Sequence, residues 1–226
     1  MNLNEYVEAN HQPEHRERGH LYMSQAGSCL RKAWGEVYVP DEQRPLTTGE
    51  IVTFADGHLH ESDIINWIEK RGTTVYPTPG DYLAATNLVE YDERIDNDED
   101  LEEQFRITLP STHGKIDGIV ELDGGLHIAE FKSVSDRHFR YLLKGGSVRD
   151  GHWSAYCQIQ MYLLHRNLLE EEWGFLLEPS CYYVAKCKQR VVGEGSFYEE
   201  MIGFDPEAAA WIWGWEEDKA LRCAVP

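Results

Sequence analysis

No run of about 18 apolar residues, the length needed to cross a bilayer, occurs in the 226-residue chain. The opening stretch, MNLNEYVEANHQPEHRERGH, is polar and has no apolar signal-peptide core, so the expectation is a cytoplasmic protein without a membrane segment. Cysteine is scarce and odd in number: five residues without close regular spacing argue against a disulfide framework and suit a reducing compartment. Basic residues are few, 21 Lys and Arg against 40 Asp and Glu, for a formal charge of −19. Such a balance removes long-range attraction to phosphate and confines any nucleic-acid contact to a local patch. Internal repeats and low-complexity segments are also missing.

What is present suffices for a substantial core: 42% of residues are apolar and 12% aromatic. The expected organisation is one domain over 1–226, with a polar leader over 1–20, helices within 24–72, a catalytic core over 113–192 and a terminal helix over 205–223. LYMSQAGSCLRKAWGEVY predicts a helix opening near Ser24, and GHLHESDIINWIEKRG a second helix ended by Gly72, with His60, Ile64, Trp67 and Ile68 on its inner stripe. TTVYP and FRITLP predict peripheral strands, and the acidic run EYDERIDNDEDLEEQ a solvated loop or hairpin tip. A long helix is expected from Trp153 to Leu169, then a strand at CYYVAKCKQRVV. In the last helix Asp205 serves as N-cap, Pro206 takes the first helical position, and Trp211, Trp213 and Trp215 read as core packing, with base stacking as the other reading.

The most informative stretch is HGKIDGIVELDGGLHIAEFKSV, two β-prone arms around a tight turn. With Gly124 and Gly125 as the turn, Asp117 lies opposite Lys132 and Ile119 opposite Glu130. Alternation then puts Asp117, Glu130 and Lys132 on one face, and Ile116, Val120, Ala129 and Phe131 on the other. Two crowded carboxylates in a half-buried patch repel one another, and a hard divalent cation such as Mg²⁺ or Mn²⁺ relieves that cost while Lys132 orients or deprotonates a water. The plain alternative is a cross-strand ion pair between Asp117 and Lys132.

Asp117 followed by Glu130-Phe131-Lys132 resembles the PD-(D/E)xK nuclease superfamily, although Ile116 stands where the motif has proline. The resemblance extends to the RecB-like branch with its CRISPR-associated and phage members. Gly57-His58-Leu59-His60-Glu61 looks like the GxxHE helix, Gln158 and Tyr162 like the QxxxY helix, and SQAGSCLRKAW like the amino-terminal helix. It implies an α/β fold, a restriction-endonuclease-like core with a central mixed β-sheet flanked by α-helices. It also implies a DNA exonuclease in which His60, Asp117, Glu130 and the Phe131 carbonyl hold one or two Mg²⁺ or Mn²⁺ ions. Lys132 would activate water, and Gln158 and Tyr162 would align the DNA backbone and the lysine.

DNA would lie on local positive charge: Arg137 and Arg140, with Lys144 and Arg149, in RHFRYLLKGGSVR, then Lys186 and Lys188 on the later strand, with Arg31 on the first helix. Some relatives hold an iron–sulfur cluster, for which Cys29, Cys181, Cys187 and Cys223 would supply four thiolates, though the last three spread over more than forty positions. A different class of reading is a non-catalytic nuclease-like protein, or DNA mimic, whose acidic surface meets a protein partner.

Overall fold

The computed structural model describes residues 2–10, 21–27, 45–86, 101, 103–110, 112–188 and 196–223. Five strands form a mixed sheet in the order β2 (Val75–Tyr76), β5 (Gly118–Leu122), β6 (Gly125–Val134), β7 (Leu177–Cys187) and β8 (Phe197–Gly203). All neighbours are antiparallel except β6 and β7. A second sheet, of three strands, runs β1 (Leu21–Tyr22), β4 (Thr112–Lys115), β3 (Arg106–Thr108). Parallel pairing of β6 with β7 requires a crossover, and four helices provide it: α4 (Asp136–Leu143), α5 (Val148–Gly151), α6 (Trp153–Leu164) and α7 (Arg166–Trp173). Outside the crossover lie α1 (Leu3–Asn10), α2 (Thr48–Lys70), α3 (Pro79–Thr86) and α8 (Pro206–Cys223).

Both faces of the large sheet are covered. Ile128, Cys181, Tyr183 and Ala185 pack against Cys157, Ile159 and Tyr162 of α6, while Val120, Ala129, Phe131 and Val184 meet Ile64 and Ile68 of α2. This is the central mixed sheet flanked by helices that the family resemblance implied.

Several expected boundaries move. The first arm of the hairpin is two strands, β4 and β5, which belong to different sheets and meet at a bend containing Asp117. Ile116 accordingly packs in the α6-side core with Ile119, not with Val120. The turn is Asp123-Gly124, because both residues adopt positive φ (52° and 82°), as a two-residue hairpin turn of this hand demands. Leu122 therefore pairs with Gly125 and Gly118 with Ala129, a register two residues away from the expected one. A slip of two preserves the faces, so Glu130 and Lys132 remain on one side together. Helix α2 starts at Thr48, capped by a reciprocal pair in which Thr47 N–H donates to Glu50 at 2.9 Å and Glu50 N–H donates to Thr47 Oγ1 at 3.4 Å. Trp67 is exposed rather than inward, and the helix expected to run to Leu169 breaks at His165 into α6 and α7. The segment expected to open a helix at Ser24 begins as a single 3-10 turn over Met23–Gln25, and its continuation lies outside the described residues, as does most of the acidic run.

Candidate active site

Asp117 sits where β4 ends and β5 begins, and its Oδ2 accepts a hydrogen bond from the Phe131 N–H at 2.7 Å. That bond pulls the carboxylate across β6, between Glu130 and Lys132. The bend itself is held from below. Tyr162 of α6 donates its hydroxyl proton to the Lys115 carbonyl at 2.6 Å, and the Gln158 amide donates to the Tyr162 hydroxyl at 2.5 Å. Tyr162 can come so close because position 114 is glycine: a Cβ there would lie 2.7 Å from its ring. Gln158 and Tyr162 are both buried. Their contacts thus steady the backbone two residues before Asp117 instead of lying open to a nucleic-acid backbone, as the family pattern had implied.

Glu130 is wholly buried on β6 and forms an ion pair with Lys132. Neither of its carboxylate oxygens has an aligned hydrogen bond among the described residues. Burial, then the neighbouring Asp117 charge, pushes the Glu130 carboxyl well above the usual range. Asp117 is likewise raised by burial, against the pull of Lys132 and the Phe131 N–H. For Lys132, burial works against the charge, but Glu130 and Asp117 outweigh it and hold the ammonium above its ordinary value. A third acid joins them. Glu61 of α2 is pushed up to about 7 by burial and by Asp117, with Lys132 and a 3.2 Å hydrogen bond from Gln104 opposing.

One ammonium thus faces three carboxylates in a largely dry setting, which leaves excess negative charge. The buried Glu130 carboxylate, met by Lys132 and lying beside Asp117, fits a hard oxygen-seeking divalent cation that keeps part of its water shell. Among the described residues no three His, Cys, Asp or Glu side chains converge into a complete ligand cluster. The fit is therefore to an acid pair with water.

His60 is half-buried with its Nδ1 lacking a hydrogen-bond partner among the described residues, and the leading charges acting on it are those of Lys186, Asp56, Asp63 and Lys188. One residue along a helix rotates a side chain by about 100°, and it is the Glu61 carboxyl that feels Asp117 and Lys132. Phe131 offers its N–H to Asp117 and its ring to the α2-side core. Lys186 also turns to α2, where Asp63 pairs with it, so its ammonium is not open to phosphate. Lys188 is exposed, Arg140 is exposed and paired with Asp136 at 2.7 Å, and Arg137 lines a surface pocket. Arg31 and Cys29 lie outside the described residues, as does the side chain of Cys223.

The iron–sulfur expectation meets a geometric obstacle. Cys181 and Cys187 are buried free thiols six positions apart on β7, hence ~20 Å apart along the strand, and cannot share one cluster.

Two residues near Lys132 were not singled out from the sequence. Tyr183 pairs in register with Glu130, and its hydroxyl is hydrogen-bonded to His152 Nδ1 at 2.9 Å. His152 is pushed down to about 4 by burial, then by His138 and Lys132, so it stays neutral and adds no second cation. GHWS carries no motif, and only the β7 register reveals the pairing.

No family model and no curated protein matches the chain. Solved structures do. The crystal structure of an alkaline exonuclease (LHK-Exo) from Laribacter hongkongensis aligns with a TM-score of 0.56 at 13% identity, over 97% of this chain and 92% of that one. LHK-Exo in complex with dAMP aligns with a TM-score of 0.57 at 12% identity, over 91% of this chain and 88% of that one. The chain shares its overall fold with these structures. At such identity the likeness concerns the fold, and the chemistry rests on the residues described above.

Proposed function

We propose that the protein is a divalent-metal-dependent DNA exonuclease of the PD-(D/E)xK type, built as one nuclease domain, with Asp117, Glu130 and Lys132 at its centre. The observation that carries this reading is the acid pair, fully buried Glu130 and half-buried Asp117 drawn across β6, sharing one ammonium. Its support from fold is the exonuclease-like architecture. Mg²⁺ or Mn²⁺, held by Asp117 and Glu130 with water completing its shell and Glu61 as a further negative charge nearby, would polarise the scissile phosphate and offset charge on the leaving oxygen. Lys132, held protonated by both acids, donates a hydrogen bond to the attacking water or a phosphate oxygen and fixes its approach. Tyr162 and Gln158 keep Asp117 in place through Lys115. His152 and Tyr183 form the wall behind Glu130.

Incubation with linear and circular, single- and double-stranded DNA, with Mn²⁺ or with EDTA, tests the reading. The expected result is Mn²⁺-dependent shortening of linear DNA that Lys132→Ala abolishes. Digestion unchanged in that variant would remove Lys132 from the chemistry. DNA binding without cleavage under any condition would favour a non-catalytic nuclease-like protein.

A further inference from the structure

Where α5 gives way to α6, the chain exposes aromatic surface that the catalytic reading does not use. Trp153 opens α6 and is 38% exposed, and Trp211 of α8 is 59% exposed. Their ring centroids lie 6.1 Å apart. Trp153 stacks on Tyr156 at 5.7 Å with 27° between the planes, and the Arg149 guanidinium lies 5.5 Å from the Tyr156 ring centre. Two helices from distant parts of the chain therefore present indole rings side by side at the surface.

The platform adjoins the site. His152, immediately before Trp153, bonds to Tyr183 behind Glu130, and its ring lies 4.7 Å from that of His138. His138 lines a pocket of ≈ 340 Å³ with Ser135, Arg137, Tyr141, Asp150 and Gly151. That volume falls in the range of small-molecule sites, roughly 300–1,000 Å³. The Tyr141 ring forms its wall only because residues 146 and 151 are glycine: a Cβ at either would fall 2.2 or 2.4 Å from the ring. From Lys132 to Trp153 the chain carries five basic and two acidic side chains, inside a protein of charge −19.

We propose that Trp153 and Trp211, with Arg137 and Arg149, form a stacking surface that holds single-stranded DNA beside the acid pair. The inference rests on the nuclease reading for its setting but on separate residues. Unpaired bases offer π-faces to indole rings, and stacking tolerates any sequence, which suits a strand delivered end-first to a hydrolytic centre. Paired bases are buried in their own stack and cannot reach the platform. Arg137 supplies a phosphate contact that the acidic remainder of the surface withholds, while Arg149, paired with Asp205 at 3.3 Å, borders the platform over Tyr156.

The test measures anisotropy of fluorescein-labelled oligothymidylate with the full chain in EDTA, alongside tryptophan emission. The unaltered protein is expected to bind the single strand with quenching of tryptophan emission and to bind a blunt duplex of equal length more weakly. Trp211→Ala should weaken single-strand binding roughly 5- to 150-fold, the loss of one stacked base, while Trp211→Phe retains most of the affinity. Arg137→Ala should weaken binding and flatten its salt dependence. Absent quenching, or equal affinity for Trp211→Ala verified as folded by circular dichroism, overturns the surface. Hydrolysis of bis(p-nitrophenyl) phosphate by the unaltered protein with Mn²⁺ reports the chemistry separately. Failure there with intact Trp211-dependent binding sinks the nuclease reading and leaves the surface standing.

Discussion

Replacing Glu130 by glutamine should stabilise the metal-free protein while abolishing its cleavage of DNA. Glu130 is fully buried beside Asp117, and burial and that neighbour both raise its carboxyl. A carboxyl raised in the folded state costs nothing below the unfolded value, because both states are protonated there. As pH rises past about 4.3 the unfolded chain ionises first, and stability falls until the folded pKa is passed. Each unit of displacement is worth about 1.4 kcal/mol. The raised value already includes the opposing pull of Lys132, and loss of the Glu130–Lys132 ion pair offsets part of the gain while Asp117 still pairs electrostatically with the ammonium, so the net gain on neutralising Glu130 at pH 8 is put at ~1–3 kcal/mol. For a chain of this length that is a rise in Tm of roughly 2–12 °C, at 2–4 °C per kcal/mol. Thermal melts followed by circular dichroism in EDTA, at pH 5 and pH 8, measure it. Glu130→Gln should gain at pH 8 and little at pH 5, and added Mn²⁺ should raise the Tm of the unaltered protein but scarcely that of the variant. A variant destabilised equally at both pH values, or stabilised by Mn²⁺ as much as the parent, would refute the account of an acid pair awaiting a cation.

Tyr162→Phe removes the donor to the Lys115 carbonyl and should cost ~1–2 kcal/mol of stability, with a fall in kcat at little-changed KM because Asp117 loses its support rather than DNA a contact. Glycine 114 leaves no room for a methyl group, so Gly114→Ala should lower the denaturant midpoint by the equivalent of ~1–3 kcal/mol as Tyr162 and Met23 are displaced. With Glu61 pushed up to about 7, Mn²⁺ affinity measured by titration calorimetry should weaken as pH falls from 8 to 6, since the protonated acid adds no negative charge beside the ion, and Glu61→Gln should flatten that dependence.

The face carrying Glu130 and Lys132 was readable from the sequence because side chains two apart on one strand share a side in any register. Gly124-Gly125 looked like the turn, yet Asp123-Gly124 forms it, since aspartate tolerates the left-handed conformation and Gly125 begins β6 opposite Leu122. The resulting slip of two residues leaves Glu130 and Lys132 on the same side. The terminal helix was equally plain: Asp205 Oδ1 accepts the Ala208 N–H at 2.9 Å and Pro206 follows the cap. Harder to read was α2. Its first three turns carry exposed Val52, Phe54 and Leu59 and no inward stripe, so periodicity gave no sign of them, although Thr47-x-x-Glu50 announces the start. That same gap in the periodicity left the phase of the helix loosely set, and with it the choice between His60 and Glu61.

The strand break at Asp117 was hard to read for a different reason. HGKIDGIVEL alternates on both sides of the break, and its one local sign is the Asp117-Gly118 dipeptide, which interrupts the β-formers without ending the pattern. What breaks it is tertiary: β4 is recruited by β1 and β3, while β5 is recruited by β2 and β6. Asp117 belongs to neither ladder, which frees its side chain to reach the Phe131 N–H at 2.7 Å. Two sheets and the Gln158–Tyr162–Lys115 chain therefore converge on the position of one carboxylate. Such over-determination is what a desolvated acid pair requires, because the repulsion between Asp117 and Glu130 would otherwise push the bend outward and admit water. The junction between the sheets is thus the means by which the fold holds the charge it would shed if the strand ran straight.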